Sequence, residues 1–288
     1  MEAGWVAECN RLTLMGMNDV EVGLKAASVA ASITREHFGE ERTRFAKDGA
    51  DFATDVDIAV EEAILHVLRE ARPEDAVQGE EFGVTGPSDA DRMWLVDPLC
   101  GTLNYAAGLG TYAVNVALVS GDDVLAAVVA EPSTGAYLCT DGVTAWGQTE
   151  GSETRTGLKP SVTSRFVDVN LETADPDEHG FSSSRFFRSG AFETLSPRFI
   201  GTSLPLAWVA SGRYAGYVIP GVHKASVHFT AGIGLCRAAG CVLSGLYGEP
   251  LHLANDGIVV AADSATHEVL LSGIAEQLSD KDLYRYIN

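Results

Sequence analysis

Between Tyr112 and Trp146 the chain carries four short apolar runs, Tyr112–Val119, Val124–Ala130, Ala136–Cys139 and Thr144–Trp146, separated by segments that contain Gly-Asp-Asp, Pro-Ser-Thr-Gly and Asp-Gly. Runs of this length are too short for helices, and the residues between them favour tight reversals. The pattern predicts consecutive antiparallel strands, so the remaining segments have to pack around a meander.

Upstream the pattern is helical. Asn18 and Glu21 have the spacing of a capping box, and Val22, Ala26, Val29, Ala30 and Ile33 share one face of a helix running to about Phe38. A polar stretch, Lys47 to Asp57, precedes a second periodic run, Val60, Ile64, Val67, Leu68 and Ala71, which Pro73 stops. Trp94-Leu95-Val96 reads as a short strand ended by Asp97-Pro98, because proline removes a ladder donor.

Downstream, Gln148 to Pro160 is aperiodic and rich in Gly, Ser, Thr and Glu, which places a boundary between an N-terminal α+β lobe, 1–155, and an α/β lobe, 156–288. In the second lobe strands at Val167–Leu171, Arg198–Ile200, Tyr217–Ile219 and Ile258–Ala261 are expected. They alternate with helices at Ser182–Phe192, Leu204–Ser211, Phe229–Ala239 and Ser264–Leu278. Each lobe is expected to complete part of one active site.

Forty acidic residues against 20 Lys and Arg give a formal charge of -20, which disfavours polyanionic partners such as nucleic acids. No apolar run approaches the roughly 18 residues of a membrane helix, and the first residues lack a basic segment followed by an apolar one, so a cytoplasmic protein is expected. The five cysteines, Cys9, Cys100, Cys139, Cys236 and Cys241, are odd in number and lack C-x-x-C spacing, so reduced thiols are expected.

Three acidic groups stand at element ends: Asp51, Asp55 and Asp57 before the second helix, Glu80-Glu81 after Gly79, and Asp97 at the strand end. Taken singly, each reads as an N-cap or solvated surface. Lys47, Arg198 and Lys224 read as surface cations, His66 and His223 lack a metal-like spacing, and Cys236 and Cys241 read as packed thiols.

In order along the chain, however, the fragments are similar to those of the inositol monophosphatase superfamily. Lys47 and the stretch Asp51 to Asp57 resemble its D-x-V-T-x-x-D segment, and Gly79-Glu80-Glu81 its G-E-E. Trp94 to Tyr105 resembles W-x-x-D-P-L/I-D-G-T-x-N-F/Y, Arg198 to Ser203 resembles R-x-x-G-S/T, and Val227 to Gly232 falls at W-D-x-A-A-G. The resemblance implies an α+β, layered αβαβα sandwich and a magnesium-dependent site for small phosphate esters. It implies that Glu80, Asp97 and the Leu99 carbonyl hold one magnesium ion, that Asp57 and Thr102 orient the attacking water, and that Gly101, Thr102, Gly201 and Thr202 contact substrate. Family members are commonly homodimers, which implies a homodimer or a heteromer with a homologous subunit.

Two positions depart from the family. Where the second magnesium has aspartates, this chain has Cys100 and His228, and Val227 replaces the tryptophan. Sulfur and nitrogen donors suit magnesium poorly, so two-metal hydrolysis is expected to be crippled. The inositol-recognising glutamate aligns with Ile219, so inositol phosphate is not the expected substrate. Three readings of the pair remain open: decay, with Cys100 a packed thiol and His228 a cap residue; zinc held by Asp97, Cys100 and His228; and metal-free chemistry, with His228 a general base or the activator of a Cys100 nucleophile.

The expected function is that of a divergent enzyme acting on a phosphate or sulfate ester of a small molecule in specialised biosynthesis. One form of it is intramolecular displacement, in which the substrate's own amine or hydroxyl closes a ring as the anion leaves. A conventional metal-dependent phosphatase and a catalytically silent subunit partner are the alternatives.

Overall fold

The computed structural model describes residues 13–41, 43–47, 52–171, 181–221 and 225–277. Cys9, Asp51, His223, Lys224 and Leu278, all named above, lie outside them. In chain order the elements are α1 (Asp19–Glu36), β1 (Arg44–Ala46), β2 (Phe52–Thr54), α2 (Asp55–Ala71), β3 (Ala76–Gly79), β4 (Gly83–Thr85), β5 (Met93–Cys100) and α3 (Thr102–Ala106). The meander follows as β6 (Ala113–Ser120), β7 (Asp123–Glu131), β8 (Ala136–Thr140) and β9 (Ala145–Thr149), with β10 (Thr156–Gly157) on its edge. Then come β11 (Phe166–Val169), α4 (Ser183–Phe186), β12 (Ser196–Arg198), α5 (Leu204–Ala210), β13 (Gly216–Pro220), α6 (Thr230–Ala239), β14 (Val242–Gly245), β15 (Gly257–Ala261) and α7 (Ser264–Ala275).

Two compact units form. The first comprises 1–157 with 202–204 and 225–235, and the second holds 158–201, 205–224 and 236–288. In the first unit one sheet has the order β10-β9-β8-β7-β6-β5-β3-β4, antiparallel except for the parallel pair β3 and β5. One face of the sheet is buried because α1 packs on β6, β7 and β8 and α2 packs on β5. Val22, Ala26 and Ala30 of α1 and Val60, Ile64 and Leu68 of α2 join Trp94, Val96, Val116 and Val128 in one core. Alanines along α1 allow the close approach; Gly23 faces the Trp94 ring and Val128.

The capping box of α1 is present as expected, with the Glu21 N–H donating to Asn18 Oδ1 at 3.0 Å and the Asn18 N–H to Glu21 Oε2 at 2.9 Å. Strand β5 corrects the sequence reading. It does not stop at Val96 but continues through Asp97-Pro98 to Cys100, with a break in register between Asp97 and Cys100. The bulge removes the need for a ladder donor at Pro98, so proline is accommodated without ending the strand.

In the second unit the sheet order is β12-β11-β13-β15-β14, with β11 parallel to β12 and β13 and β15 antiparallel to β13 and β14. The strand expected at Arg198–Ile200 lies two residues earlier, and β14 was not expected. The helix expected over Ser182–Phe192 is broken into α4 and a 3₁₀ turn at Gly190–Glu193. Ser189 and Gly190 are poor helix formers, and the break lets Phe186 meet Phe192 edge-on at 5.0 Å.

A charged cluster pins β5 to the helices. Asp75 accepts from Trp94 Nε1 at 2.9 Å and from Arg92 Nη2 at 2.6 Å, while Arg92 and Arg72 both reach Asp19. Asp75 and Trp94 are buried. Asp75→Ala leaves the indole N–H and the guanidinium without their acceptor, and is expected to cost about 3 kcal/mol in urea unfolding. Burial alone would raise the Asp19 carboxyl, but its hydrogen bonds and charge pairing with Arg92 and Arg72 hold it below the ordinary value of 3.8. A depressed carboxyl contributes stability that is present above its unfolded value and lost as pH falls through its folded value. Asp19→Asn is therefore expected to flatten the acid limb of thermal stability below about pH 4 while leaving the slope near neutrality unchanged.

Candidate active site

The site assembles in the first unit from the ends of β3 and β5, the start of α2, α3, and residues 202–204 and 225–235. Asp57 is the third residue of α2, where the sequence Thr54-x-x-Asp57 folds as a capping box. The Thr54 N–H and hydroxyl donate to Asp57 Oδ2 at 2.7 and 2.5 Å. The other oxygen, Oδ1, accepts from Thr102 Oγ1 at 2.9 Å. The same hydroxyl lies 3.1 Å from the Leu99 carbonyl, so Thr102 ties the start of α3 both to α2 and to the bulge of β5. Burial pushes the Asp57 carboxyl up, against these hydrogen bonds.

Gly101 has φ of +100°, which turns β5 directly into α3. Gly79 has a different reason. A Cβ there would fall on the Glu61 carboxylate, which accepts from the Glu81 N–H at 2.8 Å and the Phe82 N–H at 3.0 Å. The glycine of G-E-E thus makes room for the group that shapes the loop carrying Glu80. Glu61 was missed from sequence, where it reads as one more charge on α2, although it falls on the apolar face.

Asp97 is fully buried. Its Oδ1 accepts from the Leu99 N–H at 3.2 Å, and its Oδ2 lies 2.7 Å from His228 Nδ1. His228 precedes α6 by two residues, and its side chain is 42% exposed, so one ring nitrogen is tied inward while the ring keeps contact with solvent. Cys100 Sγ accepts from the Ser203 N–H at 3.2 Å, and the Cys100 carbonyl accepts from Thr202 Oγ1 at 3.0 Å. Ser203 in turn accepts from Asn115 Nδ2 at 2.8 Å. The one sequence signal for Asn115 is a polar residue inside the apolar run of β6. Asp97, Cys100 and His228 each present a ligand atom within 4.8 Å of the others. Cys100 and His228 are therefore neighbours. Gly201 belongs to the second unit and has φ of +65°.

The charges of the site are strongly coupled. Glu80 is pushed up to about 8 by burial and by the Asp97 charge, with His228 and Lys47 opposing. Asp97 is held below the ordinary carboxyl value: burial would raise it, but the charge and hydrogen bond of His228 win. Burial opposes a charged imidazole, yet Asp97 outweighs it and His228 is pushed up to about 12. The contact with Asp97 favours the protonated form of the ring. Burial first, then Asp97, pushes the Cys100 thiol up, so the thiolate needed for nucleophilic attack is not favoured. Lys47 also corrects its surface reading: its Nζ pairs with Glu80 Oε1 at 2.6 Å and Glu81 Oε1 at 2.7 Å. Arg198 is exposed and lies over the Phe166 ring.

These donors can be tested against magnesium. Glu80, Asp97 and the Leu99 carbonyl offer oxygens, and the mutual repulsion of the two carboxyls marks a place that a hard cation would relieve, so this set fits one. The second place does not fit, because its donors are a thiol and an imidazole.

An α+β chain with buried carboxyls at a strand-end bulge and a G-E-E loop has the frame of a small-molecule phosphatase. The whole-chain comparisons agree: residues 18–280 match the model of the inositol monophosphatase family, and the chain belongs to that family. It is 32% identical over 268 residues to inositol-1-monophosphatase ImpA of Mycolicibacterium smegmatis, covering 91% of this chain and 92% of that protein. It is 32% identical over 247 residues to the Nus factor SuhB of Pseudomonas aeruginosa, covering 81% and 86%. Among solved structures, the Thermotoga maritima IMPase superposes with a TM-score of 0.75 at 18% identity, covering 91% of this chain and 98% of the other. That likeness supports the expected α+β fold. No helix among the described residues is long and apolar enough to cross a membrane.

Gly79→Ala is expected to displace Glu61 and lower the unfolding midpoint by several degrees, as about 1–3 kcal/mol of overpacking does. Glu61→Ala in the same background should remove most of the added cost, read by thermal unfolding of the single and double variants.

Proposed function

We propose that this chain releases phosphate or sulfate from a small-molecule ester, using an imidazolium where its relatives' pattern has a second carboxylate-bound cation. The observation that carries this reading is the 2.7 Å contact between His228 Nδ1 and buried Asp97. A buried carboxylate beside a half-exposed ring fixes the ring's orientation and keeps it positively charged. The free edge of the ring then attracts an ester anion and can give a proton to the departing oxygen.

The remaining residues position the reaction. Asp57 and Thr102 share a hydrogen bond beside the Leu99 carbonyl, and a nucleophile placed there gives its proton to Asp57, whose carboxyl burial has already pushed up. Glu80, Asp97 and the Leu99 carbonyl would hold one magnesium ion, which when bound supplies further positive charge to the ester. Lys47 has to release Glu80 for that carboxylate to turn to a cation or a substrate, since one of its oxygens is taken at 2.6 Å. The nucleophile is water or an amine or hydroxyl of the substrate itself. In the second case the N–H or O–H gives its proton to Asp57, a C–N or C–O bond forms, and the ester C–O bond breaks with its electron pair leaving on the anion. Gly101, Thr102, Gly201 and Thr202 are assigned to substrate contact. A place in specialised biosynthesis and a dimeric assembly, with itself or a homologous subunit, complete the reading.

The test is a panel of small-molecule phosphate and sulfate esters with and without magnesium, scored for free anion and for the mass of the organic product. Release is expected, and His228→Gln should lower it by about 100-fold, the lower end of what one acid group contributes. An acyclic alcohol identifies water as the nucleophile, and a product lighter by one water identifies ring closure. Faster magnesium-dependent release in the Cys100→Asp/His228→Asp double variant would instead make the chain a conventional phosphatase. No release, with stable association to a homologous chain, would make it a silent partner.

A further inference from the structure

The trio Asp97, Cys100 and His228 unites three donor types on two segments: β5, where Asp97 and Cys100 flank the bulge, and the turn before α6. Two ligand atoms on one tetrahedral zinc ion lie roughly 3.3–3.8 Å apart, given bond lengths of about 2.0–2.3 Å. The donors here lie within 4.8 Å of one another, and the closest pair, at 2.7 Å, has to open by under about 1 Å. The half-exposed His228 ring can make that adjustment while Asp97 and Cys100 stay in place. We propose that Asp97 Oδ2, Cys100 Sγ and His228 Nδ1 bind a single zinc ion, with the fourth position left to water or an ester oxygen.

The donor chemistry selects the ion. Thiolate and imidazole favour zinc and related borderline cations and disfavour magnesium, whatever the overall charge. Glu80 is not needed as a ligand, since Lys47 holds it. A coordinated thiol ionises outright and a coordinated imidazole is neutral, so both give up their protons when an ion binds. The second carbonyl-side contacts already hold the cysteine: Thr202 Oγ1 on its carbonyl and the Ser203 N–H on its sulfur fix its position before any ion arrives.

The measurement is cobalt(II) titration of the full, chelator-treated chain, followed by competition with zinc and with excess magnesium. No ester is present, so the result is read apart from the turnover proposed above, which uses the metal-free, protonated form of His228. One equivalent of cobalt should produce a thiolate-to-cobalt charge-transfer band, which zinc abolishes and magnesium does not. Cys100→Ala should remove the band, and His228→Gln should weaken zinc binding by more than about 100-fold, above the roughly 10–100-fold carried by outer-shell partners. Cys9→Ala and Cys241→Ala should leave the band unchanged. Unfolding midpoints of the metal-free variants show whether each one folds, and Cys100→Ser supplies a second, isosteric test. No band in the wild type, a band that survives in both Cys100 variants, or displacement by magnesium would overturn the proposal.

Discussion

A carboxylate removed from water, Asp97, is held by a ring nitrogen 2.7 Å away and by the backbone N–H of a residue two positions on. Taking an isolated charge to that depth is costly, and a single partner of opposite charge is what keeps it ionised. Everything around it follows from that need. The bulge in β5 brings the Leu99 N–H to Oδ1, α6 begins where it delivers His228, and Glu80, with Asp97 close by, is driven toward its protonated form.

The G-E-E loop shows how far the support extends. Glu61 accepts two backbone N–H groups of the loop, and Gly79 leaves the room for it. Lys47 then bridges Glu80 and Glu81. Cys100 and His228, which read in the sequence as departures from the family pattern, lie beside each other and beside Asp97, so on that reading they concern one place in the site rather than two.

That clustering changes what the site can do. Hard oxygen donors remain at one place, and a mixed sulfur, nitrogen and oxygen set stands at the other. On the reading proposed above, an imidazolium or a borderline cation would stand at the second place, and either would present positive charge to an anionic ester.

Much of the fold was legible in sequence because its signals are local. The capping boxes at Asn18 and Thr54 begin α1 and α2, and the turn segments between Val119 and Thr144 set the meander. The ordered motifs also placed Asp57, Glu80, Asp97, Cys100, Thr102 and His228 in one family frame. What sequence could not decide was anything that depends on partners distant along the chain. The run through Pro98 is strand because a bulge excuses its missing donor, and the segment at Ser182–Phe192 is broken because aromatic packing outweighs apolar spacing. Lys47 reads as surface until two glutamates close on it, and Glu61 reads as surface until a loop folds over it. His228 reads in sequence as base, cap or ligand; burial of Asp97 against it raises its proton affinity, because that affinity is set by the surroundings a group acquires on folding rather than by its neighbours in sequence.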